Sequence, residues 1–197
     1  MNKAFTLTEL LVSISIIIVL SGAFFLNYQL GNKNRDLIDA SHLILQEIRK
    51  AQDFALATIK MPASCSEEFP KSVGIYFSTS SPYTFDIFGD KDKNDVYTIS
   101  DNVCVCVDSE KGKNECLERQ ALPSSVKIDK IKIGGNETEC ANAWINFLFY
   151  DLTTQINYSN CTPLDTTKVK IEICTISDCQ NNRKSILINN KGMVEIQ

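Results

Sequence analysis

The chain has 197 residues, 44% of them hydrophobic and 22% charged, which is the balance of a folded protein and not of a disordered tail. Lys+Arg total 20 against Asp+Glu 24, a formal net charge of -4 that argues against a dedicated nucleic-acid binder. Eight cysteines beside a single histidine, His42, leave little for Cys-His zinc chemistry and suit a disulfide-bonded protein.

Apolar residues concentrate near the N-terminus. Residues 10–32 carry no formal charge, and residues 10–26 read LLVSISIIIVLSGAFFL. A helix over residues 5–26 would be about 33 Å long against a bilayer core of about 30 Å, so one membrane span is expected. Lys3 and the amino terminus favour a cytoplasmic N-terminus with the bulk outside. An ordinary signal peptide is the competing reading, with Ser21-Gly22-Ala23 as its small-residue cleavage site. Glu9 separates the two, because a carboxylate at the edge of a span is costly without a partner and marks a role.

The helical pattern continues beyond the span. Leu37, Ser41, Ile44, Ile48, Ala51, Ala55 and Ile59 recur at spacings of three or four, widened by Ile38 and Leu45. Asp36, Asp39, Glu47, Arg49, Lys50 and Asp53 fall largely off this stripe, and Met61-Pro62 ends it. A helix over residues 5–60 would extend about 84 Å. His42 falls on the polar side and reads as a surface residue.

From residue 63 onward the composition turns to strands and turns. Strands are expected at 73–78, 83–88, 96–99, 103–107, 126–133, 143–150, 155–158, 169–175, 185–188 and 193–196. Ser81-Pro82, Lys111-Gly112, Gly134-Gly135 and Asn190-Lys191-Gly192 mark turns. A mostly antiparallel sheet, or two packed sheets, accounts for them.

The start of the chain, MNKA-FTLTELLVSISIIIVL, resembles the prepilin signal of type IV pilins and type II secretion pseudopilins. That resemblance implies peptidase cleavage between Ala4 and Phe5, N-methylation of Phe5, and an assembly role for Glu9 opposite a neighbouring subunit's amine. Ala4 departs from the usual glycine. It further implies a leader (1–4), a transmembrane and filament-core half-helix (5–32), an amphipathic half-helix (33–61) and a β-rich head (62–197). The head segments VGIYFS, YTFDIFGDKDKND, ALPSSVKI, WINFLFYDLTTQI and KSILINNKGMVEIQ are similar to H-type minor pseudopilins and FimT-like minor pilins. The expectation is an α+β, pilin-like fold in which a long N-terminal helix packs on an antiparallel sheet. The partners implied are other pilins, a prepilin peptidase and an inner-membrane assembly platform. The location implied is the inner membrane, single-pass, with the head in the periplasm or outside. The alternative is an exported disulfide-bonded binding domain with an ordinary signal peptide or tether.

Spacing suggests the pairs Cys174–Cys179, Cys106–Cys116, Cys140–Cys161 and Cys65–Cys104, among 105 pairings that eight cysteines permit. Asp90, Asp92, Asn94 and Asp101 fall at positions 1, 3, 5 and 12 of a calcium-loop pattern. Asp95 stands where that pattern wants glycine, so a solvated acidic turn is the stronger reading and calcium the minority one. No cofactor is otherwise expected. Arg183, Lys184 and Lys191 form a small basic group that leaves a DNA-uptake role open. Residues 63–197 nevertheless hold 14 basic and 19 acidic side chains, a net of -5 that opposes general DNA affinity. No Ser-His-Asp set, phosphate loop or metalloprotease motif occurs, so a structural protein is expected and not an enzyme.

Overall fold

A computed structural model describes residues 6–57, 69–91, 93–98, 115–148 and 153–197, with the backbone alone over 23–33. Helix α1 (Leu7–Leu56) begins at a capping box. The Thr6 hydroxyl accepts the Glu9 N–H at 3.3 Å, and the Thr6 N–H donates to Glu9 Oε2 at 3.0 Å. Ser13 and Ser15 turn their hydroxyls back onto the carbonyls of Glu9 and Leu11, so neither competes with the helical ladder. In the second half of α1, Leu37, Ala40, Ser41, Ile44, Ile48, Ala51 and Ala55 are buried, while His42 is exposed.

Ten strands form two five-stranded sheets, antiparallel throughout. The first sheet orders β3 (Cys116–Ala121), β2 (Thr84–Asp90), β1 (Ser72–Ser78), β6 (Asn142–Leu148) and β7 (Thr154–Ser159). The second orders β10 (Val194–Ile196), β9 (Arg183–Asn189), β8 (Lys168–Thr175), β4 (Val126–Ile133) and β5 (Thr138–Cys140). Alternation puts Val73, Ile75 and Phe77 of β1 inward, and Ile171 and Ile173 do the same on β8. The buried stripe of α1 touches β1 and β6 of one sheet and β4, β8 and β9 of the other, so the core lies where helix and both sheets meet. A bulge between Ile128 and Lys130 lets Ile128 and Ile131, three positions apart, both face that core. Gly134 turns the chain between β4 and β5 at φ +80°, where a side chain would also meet the Asp165 carbonyl at 2.7 Å.

Three polar contacts fix the helix on the sheets. Lys50 pairs with Glu118, the Gln52 amide donates to the Gly192 carbonyl at 2.7 Å, and the Ser125 hydroxyl donates to Asp36. The disulfide Cys140–Cys161 joins the end of β5 to the chain just after β7, tying an edge of one sheet to an edge of the other. Cys174–Cys179 closes the turn after β8. Their Cα–Cα separations of 5.1 and 4.9 Å lie in the ordinary range.

The architecture corrects three expectations. Among the described residues no helix is long and apolar enough to cross a membrane. The transmembrane first half, and with it the single-pass inner-membrane placement, are therefore not supported. The expected α+β class gives way to a mostly β protein of two antiparallel sheets. The strand expected at 96–99 is also corrected, since residues 96–98 are irregular and lie across the first sheet. The strand expected at 103–107 lies outside the described residues.

Candidate functional site

Two places stand out from the scaffold. The first is the start of α1. From Leu7 to Leu20 the large apolar side chains are 48–81% exposed, although the same helix buries its stripe from Leu37 onward. A lone exposed leucine needs no explanation, but a continuous apolar helical surface marks a contact site. Glu9 sits at its head, its carboxylate accepting the Thr6 N–H and hydroxyl on Oε2. Ala4 and Phe5, where cleavage and methylation are expected, lie outside the described residues.

The second place is the outer face of the first sheet, which residues 93–98 cover. Asp95 has φ 61°, the left-handed conformation that the calcium-loop pattern assigns to glycine at this position. Its carbonyl accepts three side-chain donors: Trp144 Nε1 at 2.8 Å, Asn157 Nδ2 at 3.1 Å and Asn146 Nδ2 at 3.3 Å. Lys71 pairs with its carboxylate at 2.6 Å, a bond that raises the lysine above its ordinary pKa. This set of bonds holds the unfavourable backbone in place.

Of the expected calcium ligands, Asp90 and Asn94 are described. Buried Asp90 accepts the N–H groups of Asn94 and Asp95, each at 3.2 Å, and Asn94 Oδ1 accepts the Val96 N–H at 2.6 Å. These oxygens serve the turn's own backbone. Asp92 and Asp101 lie outside the described residues. Buried Glu115, from the chain before β3, receives the Lys91 and Thr98 N–H groups at 3.0 and 2.8 Å and so clamps both ends of the segment.

Beneath the segment, Asp86 is only 3% exposed. Arg119 holds it through Nε at 2.7 Å and Nη2 at 2.9 Å, and the Tyr97 hydroxyl donates to Oδ2 at 2.9 Å. Burial, with the Asp86 charge beside it, pushes the Tyr97 phenol far above its usual pKa. Tyr97 lies 4.7 Å from the rings of both Tyr76 and Phe88. Phe88 in turn roofs Gly74, where a Cβ would meet its Cζ at 2.6 Å and the Ile145 carbonyl at 2.6 Å.

Sequence reasoning missed this cluster. Its one legible signal was an aspartate inside the apolar strand YTFDIF, a position that requires a partner. The cysteine expectations fare differently. Cys140–Cys161 and Cys174–Cys179 are formed. Cys116 is disulfide-bonded, while Cys65, Cys104 and Cys106 lie outside the described residues. Asp129, Cys174 and Cys179 are the one group of metal-type ligands that converges among the described residues, and its sulfurs are already joined to each other. Of the basic group, Arg183 faces Asp129 at 3.3 Å and Glu172 at 3.6 Å, so its charge is locally compensated.

No family model, curated protein or solved structure matches this chain.

Proposed function

We propose that this chain is a structural subunit of a pilin-like filament, a minor pilin or pseudopilin, joined to its neighbours through the start of α1. The observation that carries the reading is the capped helical segment of residues 7–22, whose large apolar side chains are exposed and uncovered by its own head. Packing that segment among equivalent helices removes it from water, a gain of about 1.5–3 kcal/mol for each large side chain fully covered. The FTLTE sequence in front of it supplies a cleavage point after Ala4, which places a new amine at Phe5. A neighbour's amine is the natural partner for Glu9 once the helices pack, because a carboxylate buried among them needs a cation. Paired disulfides suit assembly in an oxidising compartment.

The alternative, an exported binding domain released by ordinary signal peptidase, needs a cut after Ala23. That point falls inside the unbroken helix Leu7–Leu56, which favours the filament reading. Intact-mass analysis of the mature protein distinguishes the two. A chain beginning at methylated Phe5 supports the filament subunit. A chain beginning at Phe24 rejects it.

A further inference from the structure

A polar groove opens beside the Asp86–Arg119 pair, at the β1–β2 end of the first sheet, with a volume of about 320 Å³. The size is at the lower end of small-molecule sites. Ser78, Ser80, Ser81 and Thr84 line it with hydroxyls, and the half-buried Tyr76 supplies an aromatic wall. The hairpin turn that carries the serines is held from two sides. Ser78 Oγ accepts the Ser80 N–H at 3.1 Å, and the Thr79 hydroxyl donates to the Ala141 carbonyl at 3.1 Å. Such a wall is preorganised, so little ordering cost falls on a ligand.

The charges present decide what the groove accepts. Asp86 is the one acid of the lining and Arg119 the one base, and they chelate each other through two bonds. Tyr97 occupies Asp86 further. The lining is thus neutral overall, and its charged groups are committed to one another, which favours neither an anion nor a cation. The hydroxyls of Ser80, Ser81 and Thr84, each able to donate and accept, face the groove beside the Tyr76 ring. An aromatic body with a polar rim suits a ligand that is apolar on its C–H face and hydroxylated around its edge.

The geometry points to a binding site for a neutral polyhydroxylated ring, a single pyranose unit of a glycan, in the groove between Tyr76 and the β1–β2 turn. This inference is independent of the filament reading, because the groove and α1's exposed segment share no residue. One sugar ring has about twelve non-hydrogen atoms, so the affinity is on the order of 1 mM.

The test is protein-observed NMR on the full-length chain in an amine-oxide detergent, which carries no sugar headgroup. The probes are methyl glycosides of glucose, galactose and mannose, with inorganic phosphate in parallel. At least one glycoside is expected to give saturable shifts confined to the amides around Ser80, Ser81, Thr84 and Arg119. Thr84→Val, which keeps the shape and removes the hydroxyl, and separately Ser81→Ala should each weaken that binding at least fivefold while the remaining spectrum stays in place. The proposal is overturned if no glycoside saturates by about 50 mM, well above the expected Kd. It is equally overturned if both variants bind as well as the parent, or if phosphate binds these amides and the glycosides do not.

Discussion

The disulfides Cys140–Cys161 and Cys174–Cys179 offer a quantitative test of what holds the head together. Cys140 and Cys161 are 21 positions apart, and Cys174 and Cys179 are 5 apart. Loop-closure entropy then assigns about 3.3 kcal/mol to the first bridge and about 2.1 kcal/mol to the second at 25 °C. In a chain of this size 1 kcal/mol moves Tm by about 2–4 °C. Replacing both cysteines of the longer loop with alanine should therefore lower Tm by about 7–13 °C, against about 4–8 °C for the shorter loop. The longer bridge also joins edges of the two sheets, so the inequality should widen and not close. Thermal unfolding followed by circular dichroism, with free thiols counted to verify the remaining bridges, is the assay. Equal losses, or a larger loss from the short loop, would refute the reasoning that chain constraint sets the stability.

Other expectations follow from the packing and the charges. Ile48→Ala, at a fully buried position of the α1 stripe, should cost about 2–5 kcal/mol in urea unfolding, whereas Arg49→Ala on the exposed side should stay within about 0.5 kcal/mol. Arg119→Met leaves buried Asp86 without its cation and should cost about 3 kcal/mol, and a loss near zero would show the pair to be dispensable. Alkaline titration should leave the Tyr97 phenol protonated where a free tyrosine side chain, with its pKa of about 10, has ionised. Its folded pKa is raised above the unfolded one, so its contribution is fully present below about pH 10 and is lost as pH rises beyond that. Tyr97→Phe should flatten that alkaline loss. An unchanged alkaline limb would count against the assignment.

Several features could be read from the residues because local pattern and tertiary structure agree. Val126–Ile133 alternates apolar and charged residues except at the Asp129-Lys130 bulge, and β4 has those bounds. The stripe from Leu37 to Ala55 has helical spacing and is buried as a unit. Edge strands were harder to see. Cys116–Ala121 reads CLERQA, with three consecutive polar residues and no alternation because an edge strand buries few positions, and Thr138–Cys140 is too short to carry a period. Residues 96–98 misled because Val-Tyr-Thr has strand propensity, yet the left-handed Asp95 redirects the chain and Tyr97 is drawn to Asp86. The groove was not legible at all. Its hydroxyls come from one hairpin and its charged pair from strands 33 residues apart, a juxtaposition that only register creates.

The central claim is that the start of α1 joins this molecule to others, with Glu9 as the charged element of the joint. Glu9→Gln tests it most directly, because glutamine still completes the Thr6 capping box and only the charge is lost. The measurement is the amount of the variant in the sheared filament fraction of cells that make the protein, relative to parent expressed at the same level. At least a tenfold reduction, with an unchanged melting curve for the variant, is the predicted result; incorporation at the parental level would contradict the account.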